Sequence, residues 1–305
     1  MSRRVLVTPR SVTRAGHPAS LGKLEARGFE VVFCTPGVQP SEDELCRLVP
    51  DCEGYLAGVE PVTTRVLAAA KKLKAISRNG TGVDSIDLAA AESCGIKVLR
   101  AEGANARGVA ELAFSMILAL SRNLTANDRS MKASGWSRTA GSELDGKILG
   151  LFGFGRIGRL VARFALAFDM RVLVSDPYAQ GSENVEFVEA EEIIRQADII
   201  SLHCPPSAGG GPILDAERIG RLKKGVILIN TARSGLIDAN ALIQALNDGR
   251  VGGLGLDVFA SEPPVDRRLA EHPKVIATPH VGGFTPESID RAMTIAVDNL
   301  LEALG

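Results

Sequence analysis

A glycine-rich turn near the middle of the chain has the spacing that binds a dinucleotide. The segment Gly153-Phe154-Gly155-Arg156-Ile157-Gly158 fits the pattern G-x-G-x-x-G. It follows an apolar run at 148–152, predicted to be a strand, and it opens a helix predicted over 156–168. In such a turn the first glycine allows a tight bend, the second lets a pyrophosphate approach the backbone, and the third lets helix and strand pack closely. The N–H groups at the start of the helix then face the phosphates.

An acidic residue lies where the partner of a ribose is expected. Asp176 ends the next apolar run, 18 residues beyond Gly158. A carboxylate at this place accepts hydrogen bonds from ribose hydroxyls and repels a 2′-phosphate, so the sequence favours NAD over NADP. A structural turn beside a surface aspartate is the alternative. The ordered series of strand, turn, helix, strand and acid argues against it.

Six apolar runs in the second half of the chain predict the strands that must position this turn. They lie at 147–152, 172–174, 199–202, 226–229, 253–256 and 275–277. Six strands are the number that a dinucleotide-binding fold requires.

The first hundred residues repeat the pattern of short apolar runs and helical stretches. Predicted strands lie at 5–8, 30–33, 54–57, 74–77 and 96–99, and Ser41 with Glu44 is a capping-box signature for one of the helices. Strands that are apolar throughout and alternate with helices imply a parallel sheet covered on both faces. We therefore predict an α/β protein with two doubly wound parallel-sheet domains, of which the later one is Rossmann-like.

Two longer helices complete the predicted elements. One spans 109–124, and the other begins at Pro286, with Thr285 as its N-cap, and runs to about residue 304. The boundary between the two α/β units is expected near 99–105. From the residues alone, the final helix is compatible with either unit.

Composition excludes several classes of protein. The chain has 305 residues and a formal net charge of −1, which gives no reason to expect nucleic acid as a partner. No stretch approaches the roughly 20 apolar residues that span a bilayer, and the apolar run after Arg4 is too short for a signal peptide. The five cysteines are widely spread and form no CxxC pair or Cys/His cluster. We therefore predict reduced thiols in a cytoplasmic protein without a membrane partner or a metal site.

Further blocks, taken with the glycine-rich turn, resemble the D-isomer-specific 2-hydroxyacid dehydrogenase family, which includes phosphoglycerate dehydrogenase. The likeness covers nearly all of the chain and is clearest from Ser77 onward. Its blocks are SRNGTGVD at 77–84, VAEL at 109–112, GW at 135–136, GFGRIG at 153–158, NTAR at 230–233, LDVF at 256–259, SEPP at 261–264 and TPHVGG at 278–283. Several blocks in one order are far more specific than any single block.

The resemblance implies a domain organisation. Residues 1–101 and 286–305 would form the substrate-binding domain, residues 102–285 the NAD-binding domain, and a cleft between them would hold the chemistry. The resemblance also implies a homodimer through the 105–140 region, in which the chain's only tryptophan, Trp136, packs against the partner. An ordinary core tryptophan is the alternative.

Three residues of these blocks have the chemistry that reduction of a 2-keto acid requires. Arg233 and His280 each follow a predicted strand, so both are expected at the carboxyl edge of the sheet, where ligands bind. A guanidinium binds a carboxylate through two hydrogen bonds, and an imidazole exchanges protons near neutral pH. By resemblance, Glu262 is the carboxylate that orients the ring and favours the imidazolium. We expect hydride transfer from NADH to the carbonyl carbon, with His280 protonating the oxygen and acting as the base in the reverse direction.

The resemblance adds residues on both sides of the reacting centre. Asp257 and the main chain near Thr231 are expected to hold the nicotinamide amide, and the 79–82 loop is expected to offer backbone N–H groups to the substrate carboxylate. The cofactor-binding set beyond the glycine-rich turn is Asp176, His203, Pro205, Thr231, Ala232, Asp257 and Gly282. The substrate-binding set is Arg78, Asn79, Gly80, Thr81, Gly82, Asn105 and Arg233.

Two segments depart from the family pattern. The loop at 56–63 lacks the arginine with which phosphoglycerate dehydrogenases hold the substrate phosphate, and Glu60 would repel a phosphate dianion. Arg78 and, reaching across a dimer, Arg138 are the cations left to bind one. The loop at 206–212 carries three glycines and a second proline, which predicts a looser segment and weaker NAD binding.

The leading hypothesis is an NAD-dependent D-2-hydroxyacid dehydrogenase that resembles phosphoglycerate dehydrogenase. Its substrate is a phosphorylated acid or a small acid of the glyoxylate or hydroxypyruvate type. A formate dehydrogenase is disfavoured, because such enzymes carry Gln where Glu262 stands. An NAD-sensing binding protein of the same fold is the alternative from another class, and turnover of a panel of keto acids with NADH separates the two.

Overall fold

The chain forms two compact units. The structure, a computed structural model, describes residues 3–15, 18–179, 181, 184–206 and 211–305. The first unit comprises Met1–Asn105 and Thr285–Gly305, and the second comprises Ala106–Phe284. The sequence placed this boundary four residues earlier, between 101 and 102. Each unit is built on a parallel β-sheet, which confirms the predicted α/β class.

The first unit contains a five-stranded sheet in the order β2-β1-β3-β4-β5. Its strands are β1 (Arg3–Val7), β2 (Phe29–Phe33), β3 (Cys52–Ala57), β4 (Ala75–Arg78) and β5 (Lys97–Arg100). The helices between them are α1 (Arg10–Ala15), α2 (Gly22–Ala26), α3 (Glu42–Leu48), α4 (Thr64–Ala69) and α5 (Leu88–Ser93). The strand order reverses between β1 and β3, which makes the carboxyl ends of these two strands the switch point of this sheet.

Both faces of the first sheet are covered by apolar side chains. In β1, Leu6 belongs to one buried cluster, whereas Val5 and Val7 belong to another. Because successive side chains of a strand point to opposite faces, these clusters lie on opposite sides of the sheet. The continuous apolar runs of the sequence are therefore explained by burial on two faces.

Polar side chains start several of these helices. Ser41 accepts a hydrogen bond from the backbone N–H of Glu44 at 3.2 Å, which confirms the predicted N-cap of α3. The Glu44 carboxylate also accepts hydrogen bonds from the backbone N–H and the hydroxyl of Thr35, both at 2.7 Å. The residue that was predicted to complete a local cap therefore also anchors the segment after β2.

The last helix of the chain returns to the first unit. This helix, α12 (Pro286–Leu304), begins at Thr285, whose hydroxyl accepts from the backbone N–H of Ser288 at 3.1 Å. Its buried side chains pack in the cluster that contains residues of β1, β3 and β4; they are Met293, Ala296, Val297, Leu300 and Leu304. The core of the first unit is thus made from the two ends of the described chain.

The second unit contains a seven-stranded sheet in the order β12-β11-β10-β9-β6-β7-β8. Its strands are β6 (Ile148–Phe152), β7 (Arg171–Ser175), β8 (Glu186–Phe187), β9 (Ile199–Leu202), β10 (Val226–Asn230), β11 (Val251–Leu256) and β12 (Val275–Ala277). The prediction of six strands missed β8, because two residues are too few to show a period. This short edge strand is the third strand of the dinucleotide-binding order, which reverses between β6 and β9.

Six helices accompany this sheet in the described part of the second unit. They are α6 (Ala106–Ser121), α7 (Leu124–Lys132), α8 (Arg156–Leu166), α9 (Ala190–Gln196), α10 (Ala216–Arg221) and α11 (Ala239–Asn247). The helix predicted over 109–124 corresponds to α6, which begins and ends three residues earlier than predicted. It ends early because Asn123 takes a left-handed backbone conformation (φ 49°), and α7 follows at 65° to α6. Among the described residues no single helix has the length and apolar composition to cross a membrane, and the bent pair α6 and α7 meets the test only when the two are combined.

Candidate active site

The glycine-rich turn connects β6 to α8 at the switch point of the second sheet. Gly153 has φ +95°, and a Cβ at this residue would lie 2.7 Å from the backbone carbonyl of His203. A Cβ at Gly158 would lie 2.2 Å from the carbonyl oxygen of Gly153. These two glycines are therefore required by contacts within the protein, as the pattern predicts.

Gly155 has a different environment. It is the N-cap of α8, no side chain caps that helix, and nothing lies within 4 Å of the position where a Cβ would stand. A helix N-terminus with open space in front of it and free backbone donors suits the pyrophosphate of a dinucleotide. The residues at this turn, including Arg156 and Ile157, therefore fit NAD.

Asp176 follows β7 and accepts three backbone hydrogen bonds. They come from Phe154 at 2.6 Å, Tyr178 at 2.8 Å and Ala179 at 3.0 Å. Burial by itself would raise the pKa of Asp176, but these N–H groups and the charge of Arg159 outweigh it and hold the pKa below its usual value. An ionised carboxylate thus stands where the ribose partner was predicted.

His203 follows β9 and contacts the glycine-rich turn through its backbone. Its Nε2 lies 2.8 Å from the hydroxyl of Ser201, and its Nδ1 is buried without a hydrogen-bond partner among the described residues. Burial lowers the pKa of His203 to about 4, so the ring is neutral at physiological pH. Pro205 is exposed. The prediction of a loose loop at 206–212 falls largely on residues 207–210, which lie outside the described residues.

The turn after β10 presents Arg233 and is held by an amide side chain. The Asn230 side chain accepts from the backbone N–H of Ala232 at 3.1 Å and donates to the carbonyl of Arg233 at 2.8 Å. Arg233 donates to the carbonyl of Ala232 at 2.8 Å. The hydroxyl of Thr231 is buried and has no hydrogen-bond partner in the described part of the chain. The sequence did not single out Asn230, although an amide at the end of an apolar strand was the available signal.

His280 and Glu262 form a direct pair beyond β12. His280 Nδ1 lies 2.8 Å from Glu262 Oε2, and the two side chains are 52% and 41% exposed, so the pair faces solvent. The backbone of His280 is in the left-handed region, with φ 53°. Few residues other than glycine adopt this conformation, and such strain is concentrated at functional sites.

Asp257 follows β11 and is 1% exposed. Its carboxylate accepts hydrogen bonds from the hydroxyl of Thr278 at 2.5 Å and from the backbone N–H groups of Val281 and Gly282, both at 2.8 Å. All three donors belong to the segment that carries His280. The structure thus gives this carboxylate three partners within the protein, and the contact with the nicotinamide amide that the resemblance implies stays a prediction.

These residues share one edge of the second sheet. Strands β10, β11 and β12 are neighbours and run parallel, and Arg233, Asp257 and His280 each lie beyond the carboxyl end of one of them. Gly153 lies beyond the carboxyl end of β6 at the same edge. The predicted cofactor and catalytic residues of this unit are therefore gathered where parallel sheets bind ligands.

The loop after β4 in the first unit is partly tied within itself. Asn79 N–H donates to the carbonyl of Ala57 at 2.9 Å, and Gly80 N–H donates to that of Arg78 at 2.8 Å. Of the N–H groups predicted to face a carboxylate, those of Thr81 and Gly82 have no acceptor among the described residues. The hydroxyl of Thr81 donates to the side-chain oxygen of Asn105 at 3.0 Å, which brings two predicted substrate residues together.

Arg78 is partly buried in this loop. Its Nη1 donates to the carbonyl of Asn79 at 2.7 Å, while its Nε and the side-chain oxygen of Asn79 are buried without hydrogen-bond partners in the described part of the chain. Burial lowers the pKa of Arg78, and the charges of Glu60 and Asp84 oppose that shift. Two unpartnered polar atoms in one loop favour a polar ligand at this place.

Glu60 does not stand where the sequence analysis placed it. It was predicted to face and repel a substrate phosphate, but it is 2% exposed. Its carboxylate accepts hydrogen bonds from the hydroxyl of Thr8, from the hydroxyl of Tyr55 at 2.7 Å and from the backbone N–H of Gly58 at 2.8 Å. Burial, and after it the Glu60 charge, raises the pKa of Tyr55 well above its usual value. Glu60 is thus a buried acceptor at the switch point of the first sheet.

The segment after α6 is exposed. Trp136 is 77% exposed, so the alternative of a core tryptophan is wrong. Helix α7 has no buried residue, and Leu124 and Met131 are also exposed. Among the described residues, no group of three or more His, Cys, Asp or Glu side chains is arranged to hold a metal ion.

Comparison with known proteins extends this description. The model of the NAD-binding domain of D-isomer-specific 2-hydroxyacid dehydrogenases matches residues 114–282. Hydroxypyruvate reductase from Thermotoga maritima is 41% identical over 271 residues, which cover 87% of this chain and 89% of that protein. D-3-phosphoglycerate dehydrogenase from Mycobacterium tuberculosis is 39% identical over 272 residues, which cover 87% of this chain and 52% of that enzyme. The TT0316 protein from Thermus thermophilus superposes with a TM-score of 0.89 and 35% identity, covering 99% of this chain and 96% of that chain.

The chain therefore spans about half the length of the phosphoglycerate dehydrogenases it matches and most of the length of the hydroxypyruvate reductase. The match to the NAD-binding domain covers the glycine-rich turn and most of the residues at the carboxyl edge of the second sheet. By sequence and by structure, the chain belongs to the D-isomer-specific 2-hydroxyacid dehydrogenases, a family of NAD-dependent oxidoreductases that act on CH–OH groups.

Proposed function

We propose that this protein reduces a small unphosphorylated 2-keto acid, with hydroxypyruvate and glyoxylate as the first candidates, to the D-2-hydroxy acid at the expense of NADH. The His280–Glu262 pair carries this proposal, because it lies at the same sheet edge as the open N-terminus of α8. An acid/base group beside a dinucleotide cradle is the arrangement that a hydride-transfer enzyme needs.

The residues at this edge take separate roles. When bound, NADH supplies the hydride that the carbonyl carbon receives. Because Nδ1 of His280 contacts the Glu262 carboxylate, Nδ1 is the donor in that pair and Nε2 is left to protonate the carbonyl oxygen. Glu262 orients the ring and balances its charge. Arg233 binds the substrate carboxylate through two hydrogen bonds.

Other predicted residues support binding. Gly153, Gly155, Gly158 and Asp176 hold the pyrophosphate and ribose of NAD, and His203, Pro205, Thr231, Ala232 and Gly282 line the rest of the cofactor. In the first unit, the loop from Arg78 to Gly82 and the side chain of Asn105 contact the substrate acid. Two observations support this assignment: the pair of unpartnered buried atoms in that loop and the Thr81–Asn105 hydrogen bond.

The preference for an unphosphorylated acid rests on the loop after β3. Residues 56–63 contain no Lys or Arg, and their one charged side chain, Glu60, keeps a carboxylate buried at the switch point of the first sheet. A phosphate dianion brought to this loop meets no cation there. Similarity to a hydroxypyruvate reductase over nearly its whole length agrees with this choice.

A phosphorylated substrate is the second candidate, and one observation favours it. Arg10 follows β1 at the carboxyl edge of the first sheet, and its side chain is exposed. Arg10 follows the strand beside β3 and was not predicted from the sequence to bind substrate. With Arg78, it gives a phosphate two arginines of the first unit to contact.

Steady-state kinetics with NADH tests both candidates. The panel is glyoxylate, hydroxypyruvate, pyruvate, 2-ketobutyrate and phosphohydroxypyruvate, with NADPH in parallel. We expect kcat/KM for hydroxypyruvate or glyoxylate at least 10-fold above that for phosphohydroxypyruvate. The opposite preference, lost in Arg10→Ala, would establish the second candidate. Binding of NADH without turnover of any acid would establish a binding protein instead.

Substitution of the catalytic residues tests the mechanism. His280→Ala and Arg233→Ala should each lower kcat/KM by about 10² or more, because each removes a group that acts in the transition state. His272→Ala and Arg267→Ala are matched controls outside the proposed catalytic residues and should retain near-normal turnover. Near-normal turnover of His280→Ala on every active substrate would overturn the mechanism.

We also propose a cytoplasmic homodimer that associates through the 105–140 region. Exposed Trp136, Leu124 and Met131 support the interface, because apolar and aromatic side chains are enriched at the centres of such surfaces. The five free cysteines agree with a reducing compartment. Sedimentation equilibrium should give a dimer for the natural protein and a monomer or a weakened dimer for Trp136→Asp, and an unchanged dimer in that variant would exclude Trp136 from the interface.

A further inference from the structure

We propose that Asp257 is a positioning residue that holds the backbone of His280 in its working conformation. This role differs from the contact with the nicotinamide that the resemblance implies, and it rests on the proposed role of His280 as the acid/base. The two carboxylates near His280 then have different tasks, because Glu262 acts on the ring and Asp257 acts on the main chain.

The hydrogen bonds of Asp257 surround His280 along the chain. Thr278, two residues before the histidine, donates its hydroxyl to Oδ1, and Val281, the residue after it, donates its backbone N–H to the same oxygen. Gly282 donates its N–H to Oδ2. One buried carboxylate therefore fixes the chain on both sides of the histidine, and its negative charge strengthens each bond.

His280 needs such a restraint because its backbone is strained. Its φ of 53° lies in the left-handed region, where a Cβ approaches the carbonyl oxygen of its own residue, and its N–H donates to the carbonyl of Thr278 at 2.9 Å in a tight turn. A conformation of this kind persists only when surrounding contacts hold it. The three bonds to Asp257 are contacts of the required strength and direction.

Packing limits what else this carboxylate can contact. A Cβ at Gly282 would lie 3.1 Å from Asp257 Oδ2 and 3.2 Å from Val109 Cγ2, so the turn is in close contact with the carboxylate and with α6. A carboxylate has about four acceptor sites, and three of those of Asp257 are used within the protein. The protein thus uses most of the hydrogen-bonding capacity of Asp257 before any cofactor binds.

Glu262 and Asp257 differ in burial and in the part of His280 that each one holds. Glu262 is 41% exposed and touches the ring of His280 at Nδ1, whereas Asp257 is 1% exposed and contacts the main chain. Loss of Glu262 would leave the histidine in place with a freely rotating ring. Loss of the Asp257 charge would allow the turn to relax and would move the whole residue away from the reacting centre.

The main test is Asp257→Asn, measured by NADH binding, kinetics and hydrogen exchange. An amide of the same size keeps one acceptor oxygen but places N–H donors against a backbone N–H donor. We expect kcat to fall by about 10² on every accepted keto acid, with the Kd for NADH within 2-fold of the natural protein. Exchange of the amides of Val281 and Gly282 should accelerate at least 10-fold in the absence of cofactor.

Thr278→Val keeps the proposal testable if Asp257→Asn does not fold. This variant removes one donor and leaves the carboxylate intact, so we expect kcat to fall by 3- to 10-fold with NADH binding unchanged. The matched control is Thr64→Val in the first unit, where the hydroxyl also donates to an aspartate, Asp87, at 2.6 Å. That variant should leave kcat unchanged.

Two outcomes would overturn the proposal. One is a Kd for NADH raised 10-fold or more in Asp257→Asn with kcat retained at saturating NADH, which would assign the carboxylate to the nicotinamide. The other is unchanged amide exchange at Val281 and Gly282 in Asp257→Asn, together with unchanged kcat in Thr278→Val. Failure of the proposed function gives a separate result, because it would appear as no turnover of any keto acid by the natural protein or as normal turnover in His280→Ala.

Discussion

The carboxyl edges of the two sheets use their polar groups in opposite ways. In the first unit, Glu60 lies at the switch point with its carboxylate buried and bonded to Thr8, Tyr55 and Gly58. In the second unit, Gly155 leaves the start of α8 open, and the His280–Glu262 pair faces solvent. Both edges belong to parallel α/β sheets, so the sheet architecture alone does not make an edge reactive. The difference arises from whether neighbouring side chains satisfy the polar groups within the protein.

The comparison predicts that the first edge contributes more to stability than to chemistry. Glu60→Ala should lower the free energy of unfolding by about 3 kcal/mol, because it leaves the buried hydroxyls of Thr8 and Tyr55 and the N–H of Gly58 without an acceptor. Urea unfolding measures this loss. Glu92→Ala, at an exposed position of the same unit, should change it by less than about 0.5 kcal/mol. A loss below about 1 kcal/mol for Glu60→Ala would show that water replaces the carboxylate and would remove the contrast between the edges.

Two glycines of the second edge should respond differently to the same methyl group. Gly158→Ala places a Cβ 2.2 Å from a backbone oxygen and should cost about 2 kcal/mol of unfolding free energy. Gly155→Ala meets no protein atom within 4 Å and should unfold as the natural protein does, while the Kd for NADH rises about 10-fold because the methyl group occupies the space for the pyrophosphate. Thermal unfolding and NADH titration of both variants test the pair. Equal loss of stability would contradict the open cradle at Gly155.

Acid should lower the free energy of unfolding through His203, which lies at the second edge. Burial lowers the pKa of His203 to about 4, so the folded protein keeps the ring neutral while the unfolded chain takes up a proton below about pH 6.5. The group therefore contributes stability above that pH, and the contribution is lost as pH falls toward 4. Between pH 7 and pH 5.5 the loss should be about 1 kcal/mol. His203→Gln should reduce the slope of unfolding free energy against pH in this range, and an unchanged slope would show that the ring takes up a proton as readily in the folded protein as in the unfolded chain.

Features set by local chemistry were predictable from the sequence. The glycine-rich turn, the Ser41 cap and the Thr285 cap depend on residues within a few positions of one another, and the structure has all three. Strand β8 and the break at Asn123 were missed. The first is too short for a period, and the second depends on one residue adopting a left-handed conformation inside an otherwise helical pattern.

Long-range contacts account for the error at Glu60 and for the contacts of Asp257 that the sequence did not show. Glu60 was assigned to the surface of a loop, but its acceptor role depends on Thr8, 52 residues away along the chain. The partners of Asp257 within the protein were likewise not predicted, and its bond to Thr278 spans 21 residues. No pattern within a short window of sequence shows such partners, because they depend on which strands become neighbours. Residue type and strand position predicted that these side chains lie at the edges, whereas their contacts became clear only in the folded chain.

The return of α12 to the first unit has a consequence for the order in which the protein folds as it is synthesised. The second unit is continuous, so all of its residues are synthesised, and leave the ribosome, before those of α12. The first unit begins earlier, but its core lacks Val297, Leu300 and Leu304 until the last helix appears. Domains usually fold in the order in which they are translated. In this chain the later unit is able to fold first, while apolar residues of β1, β3 and β4 stay uncovered until α12 packs against them.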